Sequence, residues 1–174
     1  SAVGLNENRL IELKNAGLDS IQISLQAPTE RLNHHIARTK LFEHKLFMAK
    51  KAKEKRFKLT LNIVIHRLNI DSVGELLDLA LDLKADYIEL ANTQYYGFAF
   101  VNRDRLLPTF EQIKKTEALV GDYQKRYRDK AKIYYVIPDY YRNRPKPCMN
   151  GWGKIFLTIT PDGYALPCHS ARII

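Results

Sequence analysis

Two segments of the chain alternate between apolar and polar residues, which is the period of a β-strand. In residues 20–26 the odd positions are isoleucine or leucine, and the even positions are serine or glutamine. Residues 59–66 repeat the pattern, with apolar side chains at the odd positions and Thr60, Asn62 and His66 opposing them. The pattern predicts two strands, each with one apolar face and one polar face.

Segments with the apolar spacing of helices lie between the strands. Gly17 is placed to end the first helix in a left-handed cap, and Ser72 with Glu75 and Thr109 with Gln112 predict capping boxes that begin two later helices. Strands that alternate with helices indicate parallel pairing through right-handed crossovers, and hence an α/β sheet or barrel. We count three full strand-helix units, fewer than a closed barrel needs. The predicted helices cover residues 6–16, 44–55, 72–81 and 109–127, and further strands cover residues 87–92 and 133–137.

The polar faces of the strands give the first indication of function. In a parallel sheet the crossover helices cover the apolar face, so the polar side chains point into the lumen of a barrel. A lumen packed only for stability carries branched apolar side chains instead. The pattern therefore favours a barrel built around a polar ligand. An antiparallel sheet with one solvated face would show the same alternation and remains an alternative.

Polar residues also follow the predicted strands at their carboxyl ends, where parallel α/β folds place their chemistry. Asn92 and Gln94 offer amide donors and acceptors, and Tyr95 and Tyr96 offer aromatic faces with hydroxyls. Such side chains suit a ligand or a peptide, and an ordinary hydrogen-bonded turn is the alternative. His66 ends a strand as a candidate acid-base group or ligand, although a lone histidine is more often a structural hydrogen-bonding residue.

The composition is that of a basic, globular chain. Of its 174 residues 45% are hydrophobic, and 28 Lys and Arg against 19 Asp and Glu give a net charge of +9. The basic residues cluster in 50–58 and 125–132, which we interpret as solvated helix ends, with an acidic peptide or protein partner as the alternative. No nucleic-acid motif accompanies the charge, so we expect no nucleic-acid partner.

The chain has no apolar run long enough to span a membrane and no leader sequence, so we expect a cytoplasmic protein without a membrane partner. It begins a few residues before a predicted helix and stops shortly after a cysteine. We therefore expect a fragment that is cut at both ends.

The character of the sequence changes after Pro138, where prolines and glycines crowd together with both cysteines. We predict a first domain over residues 1–137 and a loop-rich second domain over residues 138–174. In the second, residues 154–160 and the turn at 161–163 predict a hairpin.

A cysteine lies near each base of this hairpin, and three interpretations compete: a disulfide, two free thiols, or two ligands of a metal centre. A disulfide is disfavoured in a chain without an export signal. Two thiolates do not complete a tetrahedral metal site, so a metal centre needs ligands from elsewhere. The spacing alone leaves these interpretations open.

The spacing Cys148-x14-Gly163-x4-Cys168 resembles the opening half of the SPASM domain, the C-terminal extension of many radical S-adenosylmethionine (SAM) peptide maturases. The segments ELANTQYYG at 89–97 and PCMNGWG at 147–153 resemble the PqqE family of pyrroloquinoline quinone (PQQ) biosynthesis. The resemblance covers nearly the whole chain. It implies a partial (β/α)6 radical SAM barrel, followed by the opening hairpin of a SPASM domain.

The resemblance implies a radical SAM oxidoreductase. Enzymes of this family cleave S-adenosyl-L-methionine reductively at a [4Fe-4S] cluster and use the resulting radical to join the γ-carbon of a glutamate to the ring of a tyrosine. The substrate is the precursor peptide PqqA, which the peptide chaperone PqqD delivers, and a reductant such as flavodoxin supplies electrons. The alternatives are another SPASM peptide maturase and a non-catalytic peptide-binding module.

The resemblance also assigns roles to individual residues. Ser24, Gln26 and Asn62 would contact SAM, in agreement with the polar lumen. Ala91 and Asn92 would lie beside the adenine or the methionine part of SAM. We assign substrate binding to His66, Gln94, Tyr95 and Tyr96.

Cys148 and Cys168 would be the first two ligands of an auxiliary iron-sulfur cluster. The chain departs from the family in lacking the CxxxCxxC motif, the glycine-rich strand that holds the SAM amino group, and the later SPASM cysteines. We therefore expect the chain alone to be inactive. We also expect the exposed strand edges of a half barrel to drive self-association.

Overall fold

The computed structural model describes residues 2–95, 97–136, 140–141, 152–155, 157–168 and 171. The chain divides into two compact units. The first unit comprises Ser1–Thr93 and Asp104–Ile137, and the second comprises Gln94–Arg103 and Pro138–Ile174. The interpretation of residues 138–174 as the start of a SPASM domain stays a prediction.

Strands and helices alternate along the first unit, as predicted. The described strands are β1 (Ser20–Ser24), β2 (Lys58–Ile65), β3 (Tyr87–Asn92), β4 (Lys132–Tyr135), β5 (Thr158–Ile159) and β6 (Ala165–Leu166). The described helices are α1 (Glu7–Asn15), α2 (Glu30–Ala37), α3 (Phe42–Glu54), α4 (Val73–Asp82), α5 (Phe98–Val101), α6 (Arg103–Leu106) and α7 (Phe110–Arg126), with a 3-10 turn over Ile70–Ser72.

The first four strands form one parallel sheet in the order β1-β2-β3-β4. The predicted α/β fold with parallel pairing is therefore confirmed. The antiparallel alternative is wrong for these strands. Each connection between neighbouring strands carries at least one helix, as a parallel crossover requires.

The core lies on one face of this sheet. In β2 the side chains of Leu59, Leu61, Ile63 and Ile65 are completely buried, whereas the side chains between them are only half-buried. Helix α3 packs against β1 and β2 and contributes buried residues such as Met48 to this core. Complete burial of one such side chain stabilises the fold by about 1.5–3 kcal/mol. The opposite face of the sheet keeps the polar side chains.

The two predicted capping boxes have different outcomes. The box at α7 is confirmed, because the Gln112 N–H donates to Thr109 Oγ1 at 3.2 Å and the Thr109 N–H donates to Gln112 Oε1 at 3.0 Å. The predicted box at Ser72 and Glu75 does not form, so this prediction is wrong. The 3-10 turn Ile70–Ser72 runs directly into α4 and gives Ser72 a φ of −98° and a ψ of 12°, without a side-chain cap. A capping hydroxyl needs an extended backbone, which this turn does not allow.

In the second unit, β5 and β6 pair as an antiparallel hairpin, which confirms the predicted hairpin in a shorter form. Its turn is closed by the Gly163 N–H, which donates to the Thr160 carbonyl at 2.9 Å. Gly163 has a φ of +88°, a conformation that glycine adopts without steric cost. Across the described residues, no helix is both long enough and apolar enough to cross a membrane.

Candidate functional site

Polar residues from neighbouring strands align across the sheet. The parallel register pairs Ser24 with Asn62, and Asn62 with Glu89. Glu89 is paired in turn with Tyr134. All four have the strand parity opposite to that of the buried apolar side chains, so they share the face away from the core. We call Ser24, Asn62, Glu89 and Tyr134 the polar row.

The centre of the polar row is a hydrogen-bonded pair. Asn62 Nδ2 donates to Glu89 Oε2 at 2.9 Å, and both residues are half-buried. A carboxylate only accepts hydrogen bonds, whereas an amide both donates and accepts, so the pair offers complementary groups to a ligand. Partial exclusion of water strengthens such hydrogen bonds. The row therefore has the chemistry to bind a ligand rich in hydroxyl, amine or amide groups.

Glu89 was not among the candidate residues, although the sequence carries a signal for it. In β3 the polar or small residues Tyr87, Glu89 and Ala91 alternate with Ile88 and Leu90, which are completely buried. The same alternation identifies Asn62 in β2. The role of Glu89 depends on the register that brings it beside Asn62, and this register is a property of the folded sheet.

An aromatic pair extends the polar face towards β4. The rings of Tyr87 and Tyr134 stack with centroids 6.3 Å apart and an interplanar angle of 17°. Lys132 Nζ lies 5.4 Å from the centroid of the Tyr134 ring, within the range of a cation-π contact. This side of the face is therefore suited to a flat or partly apolar group.

Gln26, two residues beyond Ser24, has its backbone held by two asparagine side chains. The Gln26 N–H donates to Asn33 Oδ1 at 3.3 Å, and the Gln26 carbonyl accepts from Asn69 Nδ2 at 2.9 Å. Asn69 Nδ2 also donates to the Val64 carbonyl at 2.9 Å. Asn33 and Asn69 are 0% and 1% exposed, so these bonds are shielded from water. The segment after β1 is thereby tied to the end of β2.

His66 lies at the end of β2 and is buried. Its backbone N–H donates to Asn69 Oδ1 at 2.9 Å, and its ring Nδ1 accepts from the Leu68 N–H at 3.2 Å. Burial lowers the pKa of the imidazole, because the charged form is desolvated. In this geometry the ring is neutral and carries its proton on Nε2. Its contacts are those of a residue that shapes the loop after β2, and its substrate role stays a prediction.

Ala91 and Asn92 end β3 on opposite faces. Ala91 lies two residues after Glu89 and keeps its face, whereas Asn92 has the parity of the buried Leu90. Asn92 Nδ2 donates to the carbonyl of Val136, and its buried Oδ1 has no hydrogen-bond partner among the described residues. The predicted cofactor residues that the structure brings to one face of the sheet are Ser24, Asn62 and Ala91, while Gln26 lies in the segment that follows β1.

The predicted substrate residues after β3 belong to the second unit. Gln94 is exposed, and Tyr95 is half-buried with its ring edge-on to Tyr140, the centroids lying 5.1 Å apart. Tyr96 lies outside the described residues. The substrate role of this segment therefore stays a prediction.

The predicted metal ligands have no described site. Cys148 lies outside the described residues, and Cys168 is half-buried after β6. The part of the chain that the structure describes contains no group of three or more His, Cys, Asp or Glu residues arranged to hold a metal ion. The ligand role of both cysteines stays a prediction.

The chain is similar to known proteins both in sequence and in structure. Residues 1–80 match the sequence profile of the Radical SAM superfamily. The crystal structure of Streptococcus suis SuiB matches with a TM-score of 0.61 and 16% identity, over 94% of this chain and 46% of SuiB. SuiB bound to S-adenosylmethionine matches with a TM-score of 0.63 and 18% identity, over 97% of this chain and 41% of SuiB.

SuiB bound to its precursor peptide SuiA matches with a TM-score of 0.65 and 18% identity, over 99% of this chain and 42% of SuiB. The chain therefore spans less than half the length of the SuiB chains that it matches. The likeness confirms the predicted α/β fold of the radical SAM type. The chain shares the fold of SuiB over nearly its whole length, and its first 80 residues are similar in sequence to the Radical SAM superfamily.

Proposed function

We propose that this chain is part of a radical SAM oxidoreductase that modifies a peptide. The observation that carries the proposal is the polar row, with its hydrogen-bonded pair Asn62 and Glu89, on the face of a parallel sheet that points away from the core. Two similarities support it: the match of residues 1–80 to the Radical SAM superfamily, and the fold shared with SuiB, which has been crystallised with S-adenosylmethionine and with a precursor peptide.

The residues of the polar face fit SAM. SAM has ribose hydroxyls, an adenine edge and an amino-acid moiety, all of which need hydrogen-bonding partners. Ser24, Gln26 and Asn62 supply donors and acceptors, and Glu89 supplies an acceptor for hydroxyl or ammonium groups. The small side chain of Ala91 on β3 would leave room for a flat ring. When bound and reductively cleaved, SAM supplies a carbon-centred radical, and these residues would orient it.

The described residues do not by themselves fit an iron-sulfur cluster, since they contain no group of three or more suitable side chains. A [4Fe-4S] cluster would need ligands from another part of the protein. Cys168 and the undescribed Cys148 would contribute to an auxiliary cluster, also completed from elsewhere.

The proposed reaction is the glutamate-tyrosine carbon-carbon cross-link in the PQQ precursor peptide PqqA, presented by PqqD, with a reductant such as flavodoxin. The resemblance of residues 89–97 and 147–153 to the PqqE family supports this substrate. Gln94, Tyr95 and Tyr96 in the first of these segments, and His66, would contact the peptide. The alternative within the class is another SPASM peptide maturase, whose precursor peptide would bind in place of PqqA.

The test of the cofactor site is SAM binding to the 174-residue chain and to two variants, measured by isothermal titration calorimetry. Asn62→Ala should weaken binding by about three- to tenfold, because each lost hydrogen bond contributes about 1 kcal/mol. Gln22→Ala is the matched control, since Gln22 is exposed on the same face and precedes the polar row. Failure of the unmodified chain to bind SAM, or equal losses in both variants, would contradict the proposal.

The test of the peptide site is binding of PqqA alone and of the PqqA-PqqD complex to the same chain. Binding of PqqA but not of an unrelated precursor peptide of similar length and charge supports the proposed substrate. Preference for the unrelated peptide would favour another maturase.

A further inference from the structure

Lys45 is a buried lysine near the start of α3. It is 4% exposed, and its Nζ donates to the carbonyl of Ser24 at 2.9 Å. No carboxylate among the described residues interacts with it, and burial lowers the pKa of its ammonium group. Burial of an ammonium group without a carboxylate is costly. This cost indicates that Lys45 has a role that an apolar residue could not fill.

The carbonyl that Lys45 contacts lies on the outer side of β1. The Leu25 N–H donates to the Asn62 carbonyl at 3.0 Å, so the odd residues of β1 direct their backbone groups towards β2. Successive residues of a strand alternate in this direction, and the carbonyl of Ser24 therefore points away from β2. No described strand pairs with β1 on that side. The Lys45 ammonium group supplies the missing donor.

The next anchors along the chain are Asn33 and Asn69, which bind the N–H and the carbonyl of Gln26. Three buried polar side chains from α2, α3 and the loop after β2 thus hold the backbone of Ser24 and Gln26, on either side of Leu25. This segment carries Ser24, which belongs to the polar row, and Gln26, which follows the end of β1.

We propose that Lys45, Asn33 and Asn69 are positioning residues, which hold the backbone of residues 24–26 so that Ser24 and Gln26 meet the ligand in the correct orientation. The identity of that ligand as SAM rests on the proposed function. The three residues are too deeply buried to contact the ligand themselves. They act through the backbone, and small displacements of the groups that hold a ligand weaken binding strongly.

The decisive comparison is between Lys45→Met and Lys50→Met. Both remove one positive charge from α3, but Lys50 is exposed and only Lys45 contacts the end of β1. Lys45→Met should raise the dissociation constant for SAM about tenfold. It should also speed amide hydrogen exchange at Gln26 about tenfold, because its anchored segment loosens. Exchange in β3 and α7 should remain unchanged, and Lys50→Met should alter neither property.

Two results would overturn the proposal. One is Lys45→Met with unchanged SAM affinity and unchanged exchange at Gln26. The other is faster exchange throughout the first unit, which would make Lys45 a general stabilising residue. If the unmodified chain binds no SAM, the proposed function fails, and the local exchange at Gln26 still decides whether Lys45 positions this segment.

A second variant covers the case in which Lys45→Met does not fold. Lys45→Gln removes the charge and shortens the side chain by one atom, so its N–H falls short of the Ser24 carbonyl, and Lys50→Gln is its control. A local increase in exchange at Gln26, confined to Lys45→Gln, supports positioning. Exchange equal to that of Lys50→Gln contradicts it.

Discussion

Asp86 is a single residue that joins two strands of the sheet. Its Oδ2 accepts from Lys53 Nζ at 2.6 Å and from the Leu59 N–H at 2.7 Å. Partial burial raises the pKa of this carboxyl, but the hydrogen bonds from Lys53 and Leu59 outweigh burial and hold the pKa below its ordinary value of 3.8. The carboxylate form is therefore part of the folded state.

Asp86→Ala should lower the free energy of unfolding by about 1–3 kcal/mol, because it leaves the buried Leu59 N–H without its acceptor. Urea denaturation measures the change. Asp82→Ala is the control, since Asp82 is exposed in the preceding helix, and it should change stability by less than about 0.5 kcal/mol. Equal effects of the two substitutions would show that Asp86 contributes only its charge.

His66 gives a prediction about pH. Burial lowers the pKa of its imidazole below the ordinary 6.5, and protonation of Nδ1 would break the bond from the Leu68 N–H. The unfolded chain then binds the proton more readily than the folded chain, so this group reduces stability as the pH falls below 6.5. NMR titration of the histidine ring protons should give His66 a midpoint below 6.5. A midpoint at or above that value would contradict its burial.

At the scale of residues, the sequence identified side chains whose face follows from strand parity and missed those whose role depends on tertiary contacts. Ser24 and Asn62 share a face because both strands alternate. Lys45 belongs to a helix in which lysines are frequent, and nothing local distinguishes it from Lys50. Its burial follows from the packing of α3 against β1, which periodicity alone does not reveal.

At the scale of elements, the start of α7 gives the clearest prediction. Thr109→Ala removes the acceptor for the Gln112 N–H and should cost about 1 kcal/mol of stability. Thr109→Ser keeps the hydroxyl and should therefore retain most of the stability that the cap contributes. Thermal unfolding of the three proteins measures the difference, and a loss in the serine variant equal to that in the alanine variant would argue against capping.

The strands were predictable because alternation is a local property of the sequence. The predicted strand at residues 87–92 coincides with β3, and the predicted strand at 59–66 differs from β2 by one residue at each end. Helix α2 was not among the predicted helices. It is short, and it ends at Arg38 in a left-handed conformation with φ of 52°, where a glycine would have marked the end.

At the scale of the whole molecule, the first unit has a sheet with two outer strands. Neither β1 nor β4 pairs with a further strand among the described residues. Exposed backbone donors and acceptors on such strands promote association with other chains. We expect the chain to self-associate in a concentration-dependent way, as sedimentation velocity would show.

A substitution on the outer side of β1 tests this expectation. Gln22 directs its N–H away from β2, so Gln22→Pro removes an outer donor without breaking the pairing of β1 with β2. It should reduce association through this strand, whereas Gln22→Ala should not. Unchanged association in the proline variant would indicate that the chain associates through the other outer strand, β4.

The sequence predicted the parallel arrangement, but not how the strands are aligned. Alternation with helices implies crossovers, and crossovers imply parallel strands. The alignment of Ser24 with Asn62 and Glu89 depends on the packing of each crossover helix and on the twist of the sheet. The candidate site could therefore be predicted as a polar face, while the pair of Asn62 and Glu89 could be found only in the folded molecule.

Because Lys45 binds the carbonyl of Ser24, the backbone groups on the outer side of β1 are not equally available for pairing along the strand. A strand that adds to this side pairs freely with residues 20–22, but at Ser24 it must compete with an ammonium group for the same acceptor. If the added strand displaces Lys45 from this carbonyl, Lys45 is left buried without an acceptor, and residues 24–26 lose one of their anchors. Occupancy of this strand edge and affinity for a ligand on the polar face are thus energetically linked, so each should report on the other.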